Sequence, residues 1–162
     1  MPNQYTEQRL IDSHRRTLIK ITGFLDGNTA SNNTVVDVST LAYALNANGF
    51  IMSANTHPKT NYRTTIKHIY GDINVPQYLS LQWKGDANSS IITLGPDRFD
   101  INMDGDGMTG VLNNPEANTN GDILLSTFGA TTNSSYTIFI DLKKDARDFD
   151  AGQTADPAAF NR

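Results

Sequence analysis

Cysteine is absent from all 162 residues. Disulfides, thiolate metal centres and cysteine nucleophiles are excluded together. A chain of this length needs none of them, because it can bury roughly 70% of its unfolded surface in one core. Glutamate occurs only at Glu7 and Glu116, so a paired-carboxylate hydrolase would have to work mostly through aspartate. Neither Gly-x-Ser-x-Gly nor a glycine-rich phosphate loop ahead of a helix is present. These gaps point away from an enzyme. Positive excess is lacking too: 13 Lys and Arg against 17 Asp and Glu give a charge of −4, which leaves no electrostatic footprint for nucleic acid. No apolar run approaches the ~20 residues that span a bilayer. Residues 1–9 have neither the basic start nor the apolar stretch of an export signal. A soluble product made in a cytoplasm, with no membrane partner, is the expectation.

What is present is alternation. Tyr136, Ile138, Ile140 and Leu142 share one face of a run in which Thr137, Asp141 and Lys143 point the other way. This period of two belongs to a strand with one buried face. Gly121–Phe128 leads into it through a small polar turn. Thr17–Leu25 carries Ile19, Ile21 and Leu25 on its inner side and ends at Asp26-Gly27-Asn28, a turn signal. Further strands are expected at 34–38, 62–73, 78–83, 90–94 and 98–101. In the long strand 62–73, the residues Tyr62, Thr64, Ile66, His68 and Tyr70 are expected on one face. Ser39 followed by Leu41, Ala44 and Leu45 predicts one short helix. The fold class is therefore all-β: a single β-sandwich or jelly-roll-like domain over 15–144 with one short helix. Residues 1–14 form an N-terminal arm or edge strand, and 145–162 a C-terminal arm.

Candidate chemistry is sparse. Asp100, Asn102, Asp104 and Asp106, with Gly105 at the sixth position, imitate the opening of a calcium loop. The twelfth position is Val111 rather than a bidentate Glu, so no metal is assigned and these four residues stand as a Ca²⁺ alternative only. No cofactor is expected. His14, His57 and His68 share no metal-binding spacing. Tyr62, Tyr70, Tyr78 and Trp83 could form a sugar-stacking platform, or simply fill a core.

The order of segments carries a resemblance. Arg16–Asp26 is followed by Val36-Asp37-Val38-Ser39-Thr40-Leu41 and a long strand ending Ile69-Tyr70. Then come Leu79-Ser80-Leu81-Gln82-Trp83, Gly121–Gly129 and Tyr136–Lys144. Over about residues 10–144 this resembles a group of small β-rich structural proteins of tailed bacteriophages. The resemblance implies a virion component, most specifically a capsid decoration (cement) protein. Such a protein would be made in the host cytoplasm, associate with itself, and dock on the major capsid protein at the head surface. Phe149 and Phe160, lone aromatics in a polar tail, are then the expected partner-binding anchors. The alternatives are a neck or tail component of the same particle and a carbohydrate-binding β-sandwich module.

Overall fold

The computed structural model describes residues 4–27, 32–45, 62–74, 77–105, 108–113, 119–145 and 147–149. Ten strands follow one another: β1 (Gln4–Asp12), β2 (Arg16–Asp26), β3 (Asn33–Val36), β4 (Thr64–Ile73), β5 (Tyr78–Trp83), β6 (Ser89–Leu94), β7 (Asp97–Asn102), β8 (Val111–Leu112), β9 (Ile123–Phe128) and β10 (Thr132–Lys144). They make two antiparallel sheets. The larger runs β1-β2-β10-β4-β7, with β8 continuing the β7 side of β4; the smaller runs β3-β9-β5-β6. The chain passes from one sheet to the other between β2 and β3, β3 and β4, β4 and β5, β6 and β7, β8 and β9, and β9 and β10. The architecture is an all-β sandwich, as the alternation requires. No helix among the described residues is long and apolar enough to cross a membrane.

The core lies between the sheets. Ile19, Ile21 and Leu25 of β2, Ile138, Ile140 and Leu142 of β10, and Ile66, Ile69 and Ile73 of β4 bury their side chains against Leu79, Leu81 and Trp83 of β5 and Ile123 and Leu125 of β9. Full burial of each such side chain stabilises the fold by about 1.5–3 kcal/mol. The Tyr136 side chain packs over Gly23, its cross-strand partner, where a Cβ would overlap it. Burial, with a smaller contribution from Tyr5, pushes the Tyr136 hydroxyl up to about 12.

Two expectations need correction. The helix from Ser39 to Leu45 does not form; a single 3-10 turn spans Val38–Thr40. Its cap is Asp37, not Ser39: the Asp37 carboxylate accepts from the Ser39 amide at 3.0 Å, and Leu41 is already extended. Ala44 instead makes a β-bridge with Phe149. The second correction concerns β4. A bulge interrupts its ladder with β10, so that Asp141 faces His68 while Leu142 faces Ile66. One extra residue reverses the alternation. Tyr62, Thr64 and Ile66 stay inside, Ile69 and Ile73 take over the inner face, and His68 and Tyr70 turn outward.

Of the two expectations for the N-terminal segment, arm or edge strand, the described residues form the edge strand: residues 4–12 pair along their length with β2. Of the C-terminal segment, the described residues 145 and 147–149 are built into the domain. The Leu45 amide donates to the Asp148 carbonyl at 3.1 Å, and the Arg63 amide donates to the Asp148 carboxylate at 2.6 Å.

Candidate interaction surface

Three features of the larger sheet are open to a partner. The first is β1. Its residues are almost all exposed, its outer edge has no neighbouring strand among the described residues, and it presents Tyr5, Leu10 and Ile11, each 40–50% exposed. β1 is held at one end by a polar knot. Lys144, whose side chain is fully buried, donates to the Asp12 carboxylate at 2.5 Å and to the Ala42 carbonyl at 2.9 Å. Asp12 also accepts the Ala42 amide, and the Lys144 ammonium sits 5.0 Å from the centre of the Phe149 ring. Burial lowers the Lys144 pKa, and the Asp12 hydrogen bond and charge oppose that shift. Arg9 reaches from β1 to the carbonyl and hydroxyl of Thr40. The edge strand is thus tied to the body at Thr40 and Ala42.

The second feature is the outer face of the sheet. Tyr70 and Phe139, opposite each other on β4 and β10, stack with ring centres 4.7 Å apart and planes 2° apart. His68 lies 4.8 Å from Tyr70 and its Nε2 is 2.6 Å from the Asp100 carboxylate. This pair has the two parts of a relay. Among the described residues no hydroxyl is hydrogen-bonded to His68, so no nucleophile completes it. A shallow groove of about 400 Å³ runs beside the stack, lined in part by Arg98, Asp72 and Thr137.

The third feature is the end of the sheet where β2 and β4 begin and β10 finishes. Arg15, Arg63, Lys67, Lys143 and Lys144 line one cleft there, with Asp145. Arg16 is held by a bidentate pair to Asp141 at 2.8 and 2.7 Å. The Asp145 carboxylate is taken by Arg147 at 2.7 Å, which holds its pKa down at about 2.

The residues singled out from sequence scatter. Asp100 contacts His68; Asn102 accepts the Asp104 amide at 2.9 Å; Asp104 pairs with Lys67 at 2.9 Å, which lowers its pKa. Asp106 lies outside the described residues, as does Phe160. Among the described residues no three His, Asp or Glu side chains converge on a metal position. Tyr62 and Trp83 are core, 1% exposed, while Tyr70 and Tyr78 lie on different sheets. No shared sugar platform results. Phe149 is fully buried against Tyr62, ring centres 5.4 Å apart, so it anchors its own chain rather than offering itself to a partner.

The Asp145 pair gives an acid-side prediction. A carboxylate with a folded pKa below its ordinary 3.8 adds stability that is present above about pH 4 and lost as pH falls towards 2. Arg147 is 68% exposed, and solvent screening keeps the contribution small. Asp122 works in the opposite direction: burial raises its pKa, so the folded state gains as pH falls. The difference between wild type and Asp145→Asn isolates the first effect. In urea titrations this difference is expected at pH 7 and should shrink as pH falls through about 2; persistence at lower pH would assign it to shape rather than charge.

No family model, no curated protein and no solved structure matches this chain.

Proposed function

We propose that this chain is a non-enzymatic structural component of a tailed-phage particle, a decoration protein that docks on the head surface built by the major capsid protein. The order of its strand segments supports this reading, and so does the two-sheet scaffold that carries them. The observation that carries it is β1: a nine-residue strand whose outer edge has no neighbouring strand among the described residues, with three half-exposed apolar side chains. A free edge of that length invites another chain, and soluble proteins ordinarily block it. A neighbouring subunit can extend the sheet by main-chain hydrogen bonds while Tyr5, Leu10 and Ile11 lose their remaining exposure. Covering each is worth about 1 kcal/mol. Self-association of copies on the shell uses the same edge.

Quantitative mass spectrometry of purified particles tests this reading. Copy number on the scale of the shell's subunits is expected for wild type. The double variant Leu10→Ser/Ile11→Ser should be retained about tenfold less, a loss larger than the modest fall in its urea midpoint accounts for, since each side chain is only about half covered in the free protein. A few copies per particle would move the protein to the neck or tail. Absence from particles, together with retention on polysaccharide, would overturn the proposal.

A further inference from the structure

The cleft where β2 and β4 begin and β10 finishes has no role in edge docking, and its chemistry is specific. The chain is acidic overall, yet five of its cationic side chains line one concavity of about 570 Å³. Two of these are neutralised in place, Lys144 by Asp12 and Lys67 by Asp104. Arg15, Arg63 and Lys143 have no hydrogen-bonded or ion-paired side-chain partner among the described residues.

The fold brings these three together. The Lys144 amide donates to the Arg15 carbonyl at 2.9 Å, and the Asp145 amide donates to the Arg63 carbonyl at 3.0 Å. The last residues of β10 are thus clasped between Arg15 on one side and Arg63 on the other, with Lys143 between them. Lys143 faces outward opposite Thr65, and Leu112 of β8 closes one wall. Among the described residues away from this end of the sheet, Lys20 lies on the outer face, Lys84 pairs with Asp122 and Arg98 stands on the edge strand β7.

We propose that this cleft binds a compact ligand bearing two or more oxyanion groups, phosphate or carboxylate. Two guanidinium groups offer planar forks that match either oxyanion, and a lysine adds a mobile point charge. Thr65 and Thr109 supply further polar lining. The cleft holds more than one such group but far less than a polymer. A long polyanion would also meet the repulsion of the surrounding acidic surface.

Titration calorimetry at low ionic strength with pyrophosphate and, separately, citrate tests the site. Wild type is expected to bind at least one of them saturably at one site. Arg63→Gln and Lys143→Gln should each weaken binding about tenfold or more, the loss of one charge-assisted contact. Lys20→Gln, outside the cleft, should leave it unchanged. All three side chains reach solvent, so the variants should unfold at the wild-type midpoint. Binding of pyrophosphate alone identifies a phosphate site, and of citrate alone a carboxylate site. If neither binds, or if Lys20→Gln weakens binding as much as Arg63→Gln, the proposal fails.

Discussion

Asp12→Ala is expected to destabilise the protein by about 3–5 kcal/mol, the loss that follows when one partner of a buried ion pair is removed. Lys144 is the reason. Its side chain has no exposure, and without Asp12 its ammonium keeps only the Ala42 carbonyl and the face of Phe149. Lys144→Met should cost much less, about 1 kcal/mol, because it deletes the buried charge, leaves an apolar stem of similar length, and the partly exposed Asp12 carboxylate keeps the Ala42 amide and Arg9. The Asp12→Ala/Lys144→Met double variant should be more stable than Asp12→Ala alone, a coupling of the kind that contacting residues show. A second readout uses pH. Burial already lowers the Lys144 pKa, and Asp12 opposes this; removing Asp12 lets it fall further. A lysine with a depressed folded pKa binds fewer protons folded than unfolded, so stability rises with pH up to the ordinary value near 10.5. The Asp12→Ala deficit should therefore shrink between pH 7 and pH 10. Equal losses in the two single variants, adding in the double, would show that the ion pair is incidental.

The strands of the larger sheet were legible because their inner faces are continuous. Ile19, Ile21, Ile138, Ile140 and Leu142 can be placed from period two alone. The bulge in β4 was not legible. Ile66-Lys67-His68-Ile69-Tyr70 fits either phase of the alternation, and only the ladder with β10 decides between Ile69 and His68 for the core. The turn after Val36 misled for a related reason. Leu41, Ala44 and Leu45 are spaced as on a helix, but they are buried by a β-bridge to Phe149 and by contacts with the far end of the chain. Phe149 itself looked like a loose anchor since nothing near it in sequence is apolar; its neighbours Tyr62 and Lys144 arrive through tertiary structure. The basic cleft was hidden similarly. Arg15, Arg63 and Lys143 converge only because β10 lies between β2 and β4, and strand order leaves no local signature.

Gly71→Ala is expected to be nearly as damaging, at about 3 kcal/mol or more. Gly71 sits in β4 with β10 on one side and β7 on the other, opposite Ile138 and Phe99. A Cβ there would overlap the Thr137 carbonyl oxygen outright and come within 3.0 Å of the Ile138 Cα. Both obstacles are backbone, and the strand carrying them is itself hydrogen-bonded to β2. Relief requires moving one of three adjacent strands, which breaks ladder hydrogen bonds and opens the packing of Ile69 and Ile73 beneath; overpacking with no flexible neighbour falls at the high end of its usual range. For a domain of this size the melting temperature should drop by roughly 6–12 °C. Gly105→Ala is the matched control, since its Cβ would meet nothing within 4 Å, and it should melt within about 2 °C of wild type. Equal melting temperatures for the two variants would mean that β4 and β10 can separate at Gly71 without loss. The outer-face stack of Tyr70 on Phe139, one residue away on each strand, would then have no rigid support.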